Sequence, residues 1–374
     1  MEVKFFTPTR QYNEKKDEFN KAIQNVLESG NFIMGKEVAD FEKAIAEYTG
    51  AKYAISVASG TDALVIASDI LGFKANKEVI TSPFTFLASA SCIAKHNAKP
   101  VFVDIDEDTF NIDANKIEEK IGPNTAGILP IHLFCQMSDM DKIMDVASKD
   151  NLYVLEDAAE AFGMKWKGEN GLQYKHSGTI GDMGIFSFFP TKTLGGYGDG
   201  GMIVTNDEYL ANMAKMFKVH GASKKYHYDY IGYNSRLDTI QAAVLSVKLK
   251  YIDDALEKRN SAANWYRERL NDCEYIKVQN VKGVQRPVYY VFNILAQKRD
   301  ELAAYLKENG IGTSIYYPIP LHLQKCFSYL NYKKGDFPVA ERVSTEILAL
   351  PIYPEITEDE VDFVCQTIKK FYTK

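Results

Sequence analysis

Lys192 is the residue of this chain whose neighbours best suit it for covalent chemistry. It lies in the segment from Phe188 to Gly201, FFPTKTLGGYGDGG, where an apolar strand leads into a glycine-rich turn. A lysine just past a buried strand is partly desolvated, which lowers its pKa and makes the amine a nucleophile. The alternative is a solvated loop lysine, which is the more common outcome for a single lysine.

The glycines of the same segment also fit another pattern. Gly196, Gly198 and Gly201 match G-x-G-x-x-G, the fingerprint of a dinucleotide site. That fingerprint opens a helix, whereas the residues that follow here, MIVT at 202–205, predict a strand. We therefore expect the match to be accidental. A nicotinamide-dependent oxidoreductase stays an alternative that rests on this match alone.

Asp157 is a second candidate for chemistry. It ends a predicted buried strand in the segment LYVLEDAAEAFG at 152–163, and small residues follow it. A carboxylate in a water-poor pocket needs a cationic partner, and a protonated pyridine nitrogen is one. The alternative is that Asp157 caps the helix that follows.

Two more segments could hold the other parts of a ligand. Gly60 and Thr61 follow a predicted strand and begin an apolar helix, where backbone N–H groups and hydroxyls suit a phosphate; the alternative is an ordinary helix cap. Phe86 lies where a strand gives way to a helix and could stack on a flat ring; the alternative is a core phenylalanine. A Schiff-base lysine, an acid, a phosphate cradle and an aromatic platform together indicate a site for pyridoxal 5′-phosphate (PLP).

Alternating strands and helices must position these residues. The predicted strands of the first half are Tyr53–Val57, Glu78–Thr81, Pro100–Asp104, Ala126–Ile131, Leu152–Glu156 and Ile185–Phe189, and the predicted helices before them are Glu14–Ser29 and Lys36–Thr49. Alternation of this kind predicts an α/β fold, with a large mainly parallel sheet flanked by helices. Ligands of such folds bind beyond the carboxyl ends of the strands, where all the candidate residues lie.

The last third of the sequence has a different pattern. A nearly continuous helical pattern runs from Arg236 to Leu270, and after it we predict strands Val288–Leu295 and Gly312–Ile315 with helices Asp300–Asn309, Val339–Leu348 and Glu358–Phe371. We expect a large cofactor-binding domain over residues 1–245. Residues 246–374 should form a smaller α+β domain joined to it by the long helix.

Composition excludes several classes of function. The net charge of −6 argues against nucleic-acid binding, and no apolar run approaches the ~20 residues of a membrane span. The N-terminal residues contain no apolar h-region, so we expect no signal peptide and a cytoplasmic location. The five cysteines form no C-x-x-C pair and are expected to be buried free thiols, and the six histidines lack metal-ligand spacing, so no metal site is expected.

Five motifs resemble the DegT/DnrJ/EryC1/StrS family of PLP-dependent nucleotide-sugar aminotransferases. They are SGTDAL at 59–64, EDAAEAFG at 156–163, SFFPTKTLGGYGDGG at 187–201, GYNSRLDTIQAAVL at 232–245 and YYPIPLHLQ at 316–324. The resemblance runs almost end to end. It implies the type I aminotransferase fold, PLP and its amine form pyridoxamine phosphate (PMP) as cofactor, L-glutamate as amino donor, and a homodimer that shares its active sites.

The resemblance also implies roles for individual residues. Lys192 forms the Schiff base, and Asp157 pairs with the pyridine nitrogen. Relatives commonly carry Gln where this chain has Glu160, facing the ring hydroxyl of the cofactor. The remaining implied contacts are Phe86 on the ring, Gly60, Thr61 and Ser187 on the phosphate, Asn234 on the phosphate of the neighbouring subunit, and Tyr316, Tyr317 and His322 on the substrate.

The expected acceptor is a nucleotide-linked keto-sugar. The segment YYPIPLHLQ with the following GDFPVAE at 335–341 is most similar to relatives that aminate C3, and it offers hydroxyls and a histidine but no arginine for a sugar carboxylate. We therefore expect a dTDP-linked 3-keto-6-deoxyhexose. The alternatives are amination at C4, a UDP-linked 3-keto-sugar, a lyase-like reaction on the same fold, which the retained Lys192 disfavours, and a non-catalytic PLP-binding scaffold.

Overall fold

The computed structural model describes residues 1–167, 175–282 and 284–373. The α-helices in these ranges are α1 (Pro8–Glu14), α2 (Lys16–Ser29), α3 (Lys36–Thr49), α4 (Gly60–Ile70), α5 (Leu87–Lys95), α6 (Met140–Lys149), α7 (Glu208–Phe217), α8 (Thr239–Leu249), α9 (Ile252–Leu270), α10 (Arg299–Glu308), α11 (Pro338–Glu346) and α12 (Glu358–Tyr372). The strands are β1 (Tyr53–Val57), β2 (Glu78–Thr81), β3 (Lys99–Phe102), β4 (Thr125–Ile128), β5 (Tyr153–Asp157), β6 (Lys165–Trp166), β7 (Lys175–His176), β8 (Met183–Ser187), β9 (Gly201–Thr205), β10 (Ala222–Lys224), β11 (His227–Tyr228), β12 (Ile276–Val278), β13 (Val284–Arg286), β14 (Phe292–Ala296) and β15 (Ile347–Leu350). Short 3₁₀ helices span Ala114–Lys116, Glu118–Lys120, Leu321–Leu323 and Lys325–Leu330.

A seven-stranded sheet forms the centre of the fold, in the order β1-β9-β8-β5-β4-β2-β3. The pairs from β8 through β3 are parallel, and β9 runs antiparallel to both of its neighbours, β1 and β8. The sheet is therefore mixed but mainly parallel, which confirms the predicted fold class. The carboxyl ends of β1, β2, β5 and β8 consequently lie along one edge of the sheet.

Helices cover both faces of this sheet because its strands are apolar on both sides. Leu155 and Ile203 pack in one hydrophobic cluster with residues of α4, α5 and α7. Their chain neighbours Val154 and Val204 pack in a second cluster with residues of α3, α6 and α8. This alternation is typical of a parallel sheet buried on both faces.

The C-terminal part is built around a second sheet, with three antiparallel strands in the order β12-β14-β15. A third hydrophobic cluster joins this sheet to α9, α10 and α12, with Tyr266, Phe292 and Val361 among its buried residues. The expected α+β character of this part is confirmed. The division of the chain at residues 245 and 246 stays a prediction.

Several helices and strands have bounds that differ from the predicted ones. The helical pattern from Arg236 is two helices, α8 and α9, interrupted at Lys250 and Tyr251. The predicted helix Glu14–Ser29 also spans parts of two helices, because α1 ends at Glu14 and α2 begins at Lys16. The predicted helix Val339–Leu348 ends at Glu346, since the apolar residues after it pair with β14 as strand β15. The predicted strand Gly312–Ile315 is only a single bridge, between Ser314 and Ala349.

A buried glutamate connects β5 to the loop that leads into β8. Glu156 accepts hydrogen bonds from His132 Nε2 at 2.8 Å and from the backbone N–H groups of Gly178, Ile180 and Gly181 at 2.8, 2.6 and 2.6 Å. Its side chain is fully buried. One carboxylate thus satisfies one buried and two partly buried backbone donors, and it holds β8 beside β5.

In the described ranges, no helix is long and apolar enough to cross a bilayer, and no group of three or more His, Cys, Asp and Glu side chains is arranged for a metal ion. The five cysteines are free, as expected. Their expected burial is wrong for two of them, because Cys326 is exposed and Cys273 is partly exposed.

Candidate active site

A cavity of about 600 Å³ opens beyond the carboxyl ends of β1, β5 and β8. Its size is in the range of cofactor and ligand pockets in proteins. The lining residues are Ser59, Gly60, Thr61, Leu64, Thr85, Phe86, Ala88, Ser89, Ile131, Leu133, Asp157, Ala159, Glu160, Ser187, Phe189, Thr191, Lys192, Asp199, Tyr290, Ile315, Tyr316 and Tyr317. The structure therefore brings together nine of the predicted site residues, namely Gly60, Thr61, Phe86, Asp157, Glu160, Ser187, Lys192, Tyr316 and Tyr317.

Lys192 projects into this cavity from the loop that follows β8. A backbone hydrogen bond of 2.8 Å from Lys192 N–H to the carbonyl of Phe189 closes the turn. Its Nζ lies 3.2 Å from Glu160 Oε1 and 4.1 Å from the centre of the Tyr290 ring. Burial lowers the pKa of the Lys192 amine, but the Glu160 carboxylate raises it, and the net pKa lies above its ordinary value. The predicted lowering of this pKa is therefore wrong, because the sequence pattern did not include the ion pair.

The glycines after Lys192 serve close packing. A Cβ atom at Gly201 would lie 2.3 Å from the carbonyl oxygen of Ser59, and one at Gly195 would lie 2.5 Å from that of Pro190. Gly201 begins strand β9 and no helix follows it directly, so the segment lacks the strand–turn–helix geometry of a dinucleotide fingerprint. The expected rejection of that pattern is confirmed.

Asp157 ends β5 with its side chain toward the cavity and only 4% of its surface exposed. Its Oδ2 accepts a hydrogen bond of 2.7 Å from the Ser89 hydroxyl, and its Oδ1 accepts one of 3.1 Å from Ala159 N–H. Burial raises the pKa of this carboxyl group. No helix begins at the next residue, so the interpretation of Asp157 as a helix cap is wrong. A cation placed in the cavity would stabilise its charged form.

The opposite side of the cavity suits a phosphate. Ser59 caps α4 by accepting a 3.0 Å hydrogen bond from Asp62 N–H, so Gly60 and Thr61 form the first turn of that helix. A Cβ atom at Gly60 would lie 2.7 Å from Ser187 Cβ, which places this turn against the end of β8. Unpaired N–H groups and the positive end of the helix dipole favour an anion here.

Aromatic side chains form the remaining wall. Phe86 is 57% exposed, and the centre of its ring lies 6.3 Å from that of the Tyr317 ring. Burial raises the pKa of Tyr317 well above its ordinary value, so its hydroxyl remains a hydrogen-bond donor. Tyr316 and Tyr290 lie beside it, with ring centres 6.4 Å apart. The exposed Phe86 ring is a surface on which a flat heterocycle can stack.

The residues of the cavity suit each chemical group of PLP. The N-terminus of α4 suits the phosphate and Phe86 suits the ring. Among the described residues, the buried Asp157 has no direct cationic partner, which a protonated ring nitrogen would supply. Lys192 is a primary amine for the aldehyde. Glu160 is fixed between Lys192 and the backbone N–H of Phe134, which donates to its Oε2 at 3.1 Å.

Two predicted residues do not line the cavity of this chain. Asn234 is exposed, and its amide oxygen accepts a hydrogen bond from Arg236. His322 is buried, with its Nε2 3.0 Å from Glu341 Oε1 and its ring 4.7 Å from that of Phe337. The geometry of this chain therefore gives no support to the expected substrate contact by His322.

Sequence reasoning did not assign several polar residues of the cavity to the site, among them Thr85, Ser89 and Tyr290. Ser89 lies three residues after Phe86, which is the spacing of one helical face. Its position could therefore have been predicted from that of Phe86. Tyr290 belongs to a segment predicted as strand, Val288–Leu295, whereas β14 begins only at Phe292. Nothing local marked Tyr290 as a cavity residue.

Comparison with known proteins gives the family. The model of the DegT/DnrJ/EryC1/StrS aminotransferase family matches residues 13–369. The chain is 44% identical over 374 residues to a protein of Geobacillus stearothermophilus named pleiotropic regulatory protein, covering 100% of this chain and 99% of the relative. It is 40% identical to the dTDP-3-amino-3,6-dideoxy-alpha-D-galactopyranose transaminase of Aneurinibacillus thermoaerophilus (98% and 99% covered). It is 38% identical to the UDP-2-acetamido-2-deoxy-3-oxo-D-glucuronate aminotransferase of Pseudomonas aeruginosa (98% and 99% covered).

Solved structures agree with these matches. The S. venezuelae protein DesV, in complex with a ketimine intermediate, superposes with a TM-score of 0.95 at 34% identity, covering 100% of this chain and 99% of that one. NtdA from Bacillus subtilis, with bound cofactor PMP, superposes with a TM-score of 0.91 at 31% identity, covering 100% and 86%. The type I aminotransferase fold and the PLP/PMP cofactor are thereby confirmed. The chain belongs to the DegT/DnrJ/EryC1/StrS family of PLP-dependent sugar aminotransferases.

Proposed function

We propose that this nucleotide-sugar aminotransferase moves an amino group from L-glutamate to C3 of a dTDP-linked 3-keto-6-deoxyhexose. The observation that carries the proposal is the composition of the cavity wall. Tyr316 and Tyr317 offer hydroxyls there, and no arginine is among the described residues that line the cavity. A sugar carboxylate is normally bound by a bidentate arginine, so an uncharged deoxysugar suits this wall better than a uronic acid does.

The comparisons support amination at C3 but divide on the nucleotide. The Aneurinibacillus relative is named for a dTDP-linked 3-amino product, and the Pseudomonas relative for a UDP-linked 3-oxo-glucuronate. Their identities to this chain, 40% and 38%, are too similar to decide between them. A UDP-linked 3-keto-sugar therefore stays the main alternative, and amination at C4 is the second.

We assign the chemistry to residues that the cavity brings together. When bound, PLP supplies the electron sink for charge that develops at the substrate carbon. The Lys192 amine holds the cofactor covalently and, once the amino donor has displaced it, moves the proton at that carbon. Asp157 keeps the ring nitrogen protonated. Contacts to the phosphate are assigned to Gly60, Thr61 and Ser187, the ring stack to Phe86, and substrate contacts to Tyr316 and Tyr317.

A product assay tests the acceptor. The purified enzyme is incubated with L-glutamate and, separately, with dTDP-linked 3-keto-6-deoxyhexoses, dTDP- and UDP-linked 4-keto-sugars, and UDP-linked 3-keto uronic acid. We expect amino-sugar from the dTDP-linked 3-keto substrates. Turnover of a 4-keto-sugar alone would overturn the position of amination. Turnover of the UDP-linked uronic acid alone would retain C3 and overturn the nucleotide.

A non-catalytic scaffold is a second candidate, because the relative with 44% identity is named a regulatory protein. The presence of Lys192 and Asp157 in one cavity favours catalysis. Adding L-glutamate to the purified yellow protein distinguishes the two functions. Loss of the yellow colour shows that the amino group has been transferred to the cofactor. Bound PLP whose colour glutamate does not change would support the scaffold.

We further propose that the working unit is a homodimer in the cytoplasm, with Asn234 reaching the phosphate of the neighbouring subunit. The segment before Asn234 exposes large apolar side chains, including Tyr226 at 76% and Ile231 at 95%. Exposed apolar surface of this kind marks an interaction site. The unpaired cysteines suit the reducing conditions of the cytoplasm.

A further inference from the structure

We propose that Thr85 and Ser89 form a hydrogen-bond relay that orients Asp157 and keeps its carboxyl group ionised. The Ser89 hydroxyl lies 2.7 Å from Asp157 Oδ2, and the Thr85 hydroxyl lies 2.9 Å from the Ser89 hydroxyl. Only 3% of Thr85 and 1% of Ser89 is exposed. The inference rests on the proposed role of Asp157 toward the ring nitrogen, and it makes Ser89 and Thr85 positioning residues.

The direction of the relay follows from the number of protons. An ionised carboxylate only accepts hydrogen bonds, so Ser89 must donate its single hydroxyl proton to Asp157. The Ser89 oxygen then acts as acceptor toward Thr85, whose hydroxyl must donate. Asp157 Oδ1 accepts one hydrogen bond, from Ala159 N–H. Each carboxylate oxygen keeps a free lone pair, and Asp157 lines the cavity, so both oxygens can still accept from a ligand.

The start of helix α5 places this relay beside the ring platform. Phe86 is the residue before the first turn, and Ser89 lies three residues later, so both point from one helical face. The backbone N–H of Ser89 donates to the carbonyl of Phe86 at 3.3 Å. The same turn therefore presents an exposed ring to the cavity and a buried hydroxyl to Asp157.

The relay opposes the effect of burial on the pKa of Asp157. Burial raises the pKa of Asp157, whereas the hydrogen bond from Ser89 and that from Ala159 N–H lower it. In the part of the chain that the structure describes, the other ionisable groups that interact with Asp157 include Lys192, Glu160, the Cys92 thiol and the Tyr317 hydroxyl. Burial raises the pKa of Cys92 to about 12 and that of Tyr317 well above its ordinary value, so both are neutral at physiological pH.

Removing the Ser89 hydroxyl should shift the balance toward the neutral acid. A hydrogen bond to a charged group changes the equilibrium between charged and neutral forms by about 10- to 100-fold. Ser89→Ala should therefore raise the pKa of Asp157 by about one to two units. Thr85→Val leaves the Ser89 donor in place and removes only its orientation, so we expect a smaller rise of the same sign.

The experiment measures the carboxyl group directly in the cofactor-free protein. Aspartate labelled with ¹³C reports the pKa of Asp157 by NMR titration, and the signal is assigned by its absence from Asp157→Asn. Ser89→Ala, Thr85→Val and wild type are compared with Ser344→Ala as matched control, because Ser344 is an equally buried serine whose hydroxyl donates to the backbone carbonyl of Ala340 within α11.

We expect a raised Asp157 pKa in Ser89→Ala, a smaller rise in Thr85→Val, and no change in Ser344→Ala. If Ser89→Ala fails to fold, Thr85→Val alone decides, and an unchanged Asp157 pKa in it overturns the relay. With PLP bound, the fall in kcat of Ser89→Ala should exceed any change in KM. Wild-type protein that binds no PLP would overturn the proposed function without changing the NMR result, whereas active wild type with an unshifted Asp157 pKa in Ser89→Ala overturns the relay alone.

Discussion

Replacing Glu160 with glutamine should remove the charge that holds Lys192 as an ammonium ion. The two side chains are similar in shape, and the hydrogen bond from Phe134 N–H can be kept by the amide oxygen. What is lost is a carboxylate 3.2 Å from Lys192 Nζ in a mostly buried site. Burial would then act on the amine without this opposing charge, so the pKa of Lys192 in the cofactor-free enzyme should fall.

The size of the expected pKa shift follows from the distance between Lys192 Nζ and Glu160 Oε1. At 3.2 Å, the attraction between the two charges is about 5 kcal/mol for an effective dielectric constant of about 20. Opposite charges at this range shift pKa values by about 1–3 units. Only the neutral amine condenses with an aldehyde. An ordinary lysine with a pKa of about 10.4 is less than about 1% neutral at pH 8, and the pKa of Lys192 is raised above its ordinary value. Glu160→Gln should therefore raise the neutral fraction of the Lys192 amine by about 10- to 1000-fold, with complete deprotonation as the upper limit.

Stopped-flow mixing of cofactor-free enzyme with PLP between pH 6 and 10 measures this directly. The rate at which the absorbance of bound cofactor appears should rise with pH, and its midpoint should lie lower in Glu160→Gln than in wild type. Glu42→Gln is the matched control, because Glu42 pairs with the buried Lys218 at 2.9 Å outside the cavity. Identical pH dependence in wild type and Glu160→Gln would refute the argument, as would an equal shift in Glu42→Gln.

Three further substitutions test the assigned roles. Lys192→Ala should reduce turnover by at least about 10²–10⁴-fold while the circular dichroism spectrum stays unchanged, and near-normal turnover would contradict the assignment. Asp157→Asn should retain PLP but lose most of kcat, because an amide cannot stabilise a protonated ring nitrogen by charge; wild-type kcat would show that the carboxylate is not needed. Asn234→Asp should weaken PLP retention in equilibrium dialysis by placing a negative charge beside the phosphate of the neighbouring subunit, and a fully active monomer in sedimentation would exclude that contact.

The parts of the site that follow strands could be predicted from the sequence. Strands Tyr53–Val57 and Glu78–Thr81 have the predicted bounds, because each is a short apolar run with a turn at its end. The carboxyl ends of parallel strands lie at one edge, so Asp157 and Lys192 were expected at the same edge of the sheet, and the pairing of β5 with β8 brings them together. The candidate roles of these two residues could be assigned without tertiary contacts, although the pKa of Lys192 could not.

The C-terminal contributions to the cavity could not be predicted in this way. Tyr290 lies in the predicted strand Val288–Leu295, yet in the structure it precedes the paired residues of β14. Tyr316 follows the predicted strand Gly312–Ile315, and only the family resemblance assigned it to the site. Apolar runs of this length do not determine where backbone pairing stops, since the partner strand decides that. The ion pair of Lys192 with Glu160 joins residues 32 positions apart, and it reversed the predicted direction of the Lys192 pKa shift.

The two acids at the end of β5 limit which changes in chain length this protein can tolerate. Glu156 and Asp157 are neighbours, but successive strand residues face opposite sides, so one anchors the loop at 178–181 and the other lines the cavity. Inserting or deleting one residue between α6 and β5 would turn each acid to the opposite face of the sheet if the strand moved by one residue in its pairing with β8. The anchoring acid would then lie in the cavity, and the shorter aspartate would have to reach backbone donors placed for a glutamate. Substitutions in that connection should therefore be tolerated far more often than changes in its length.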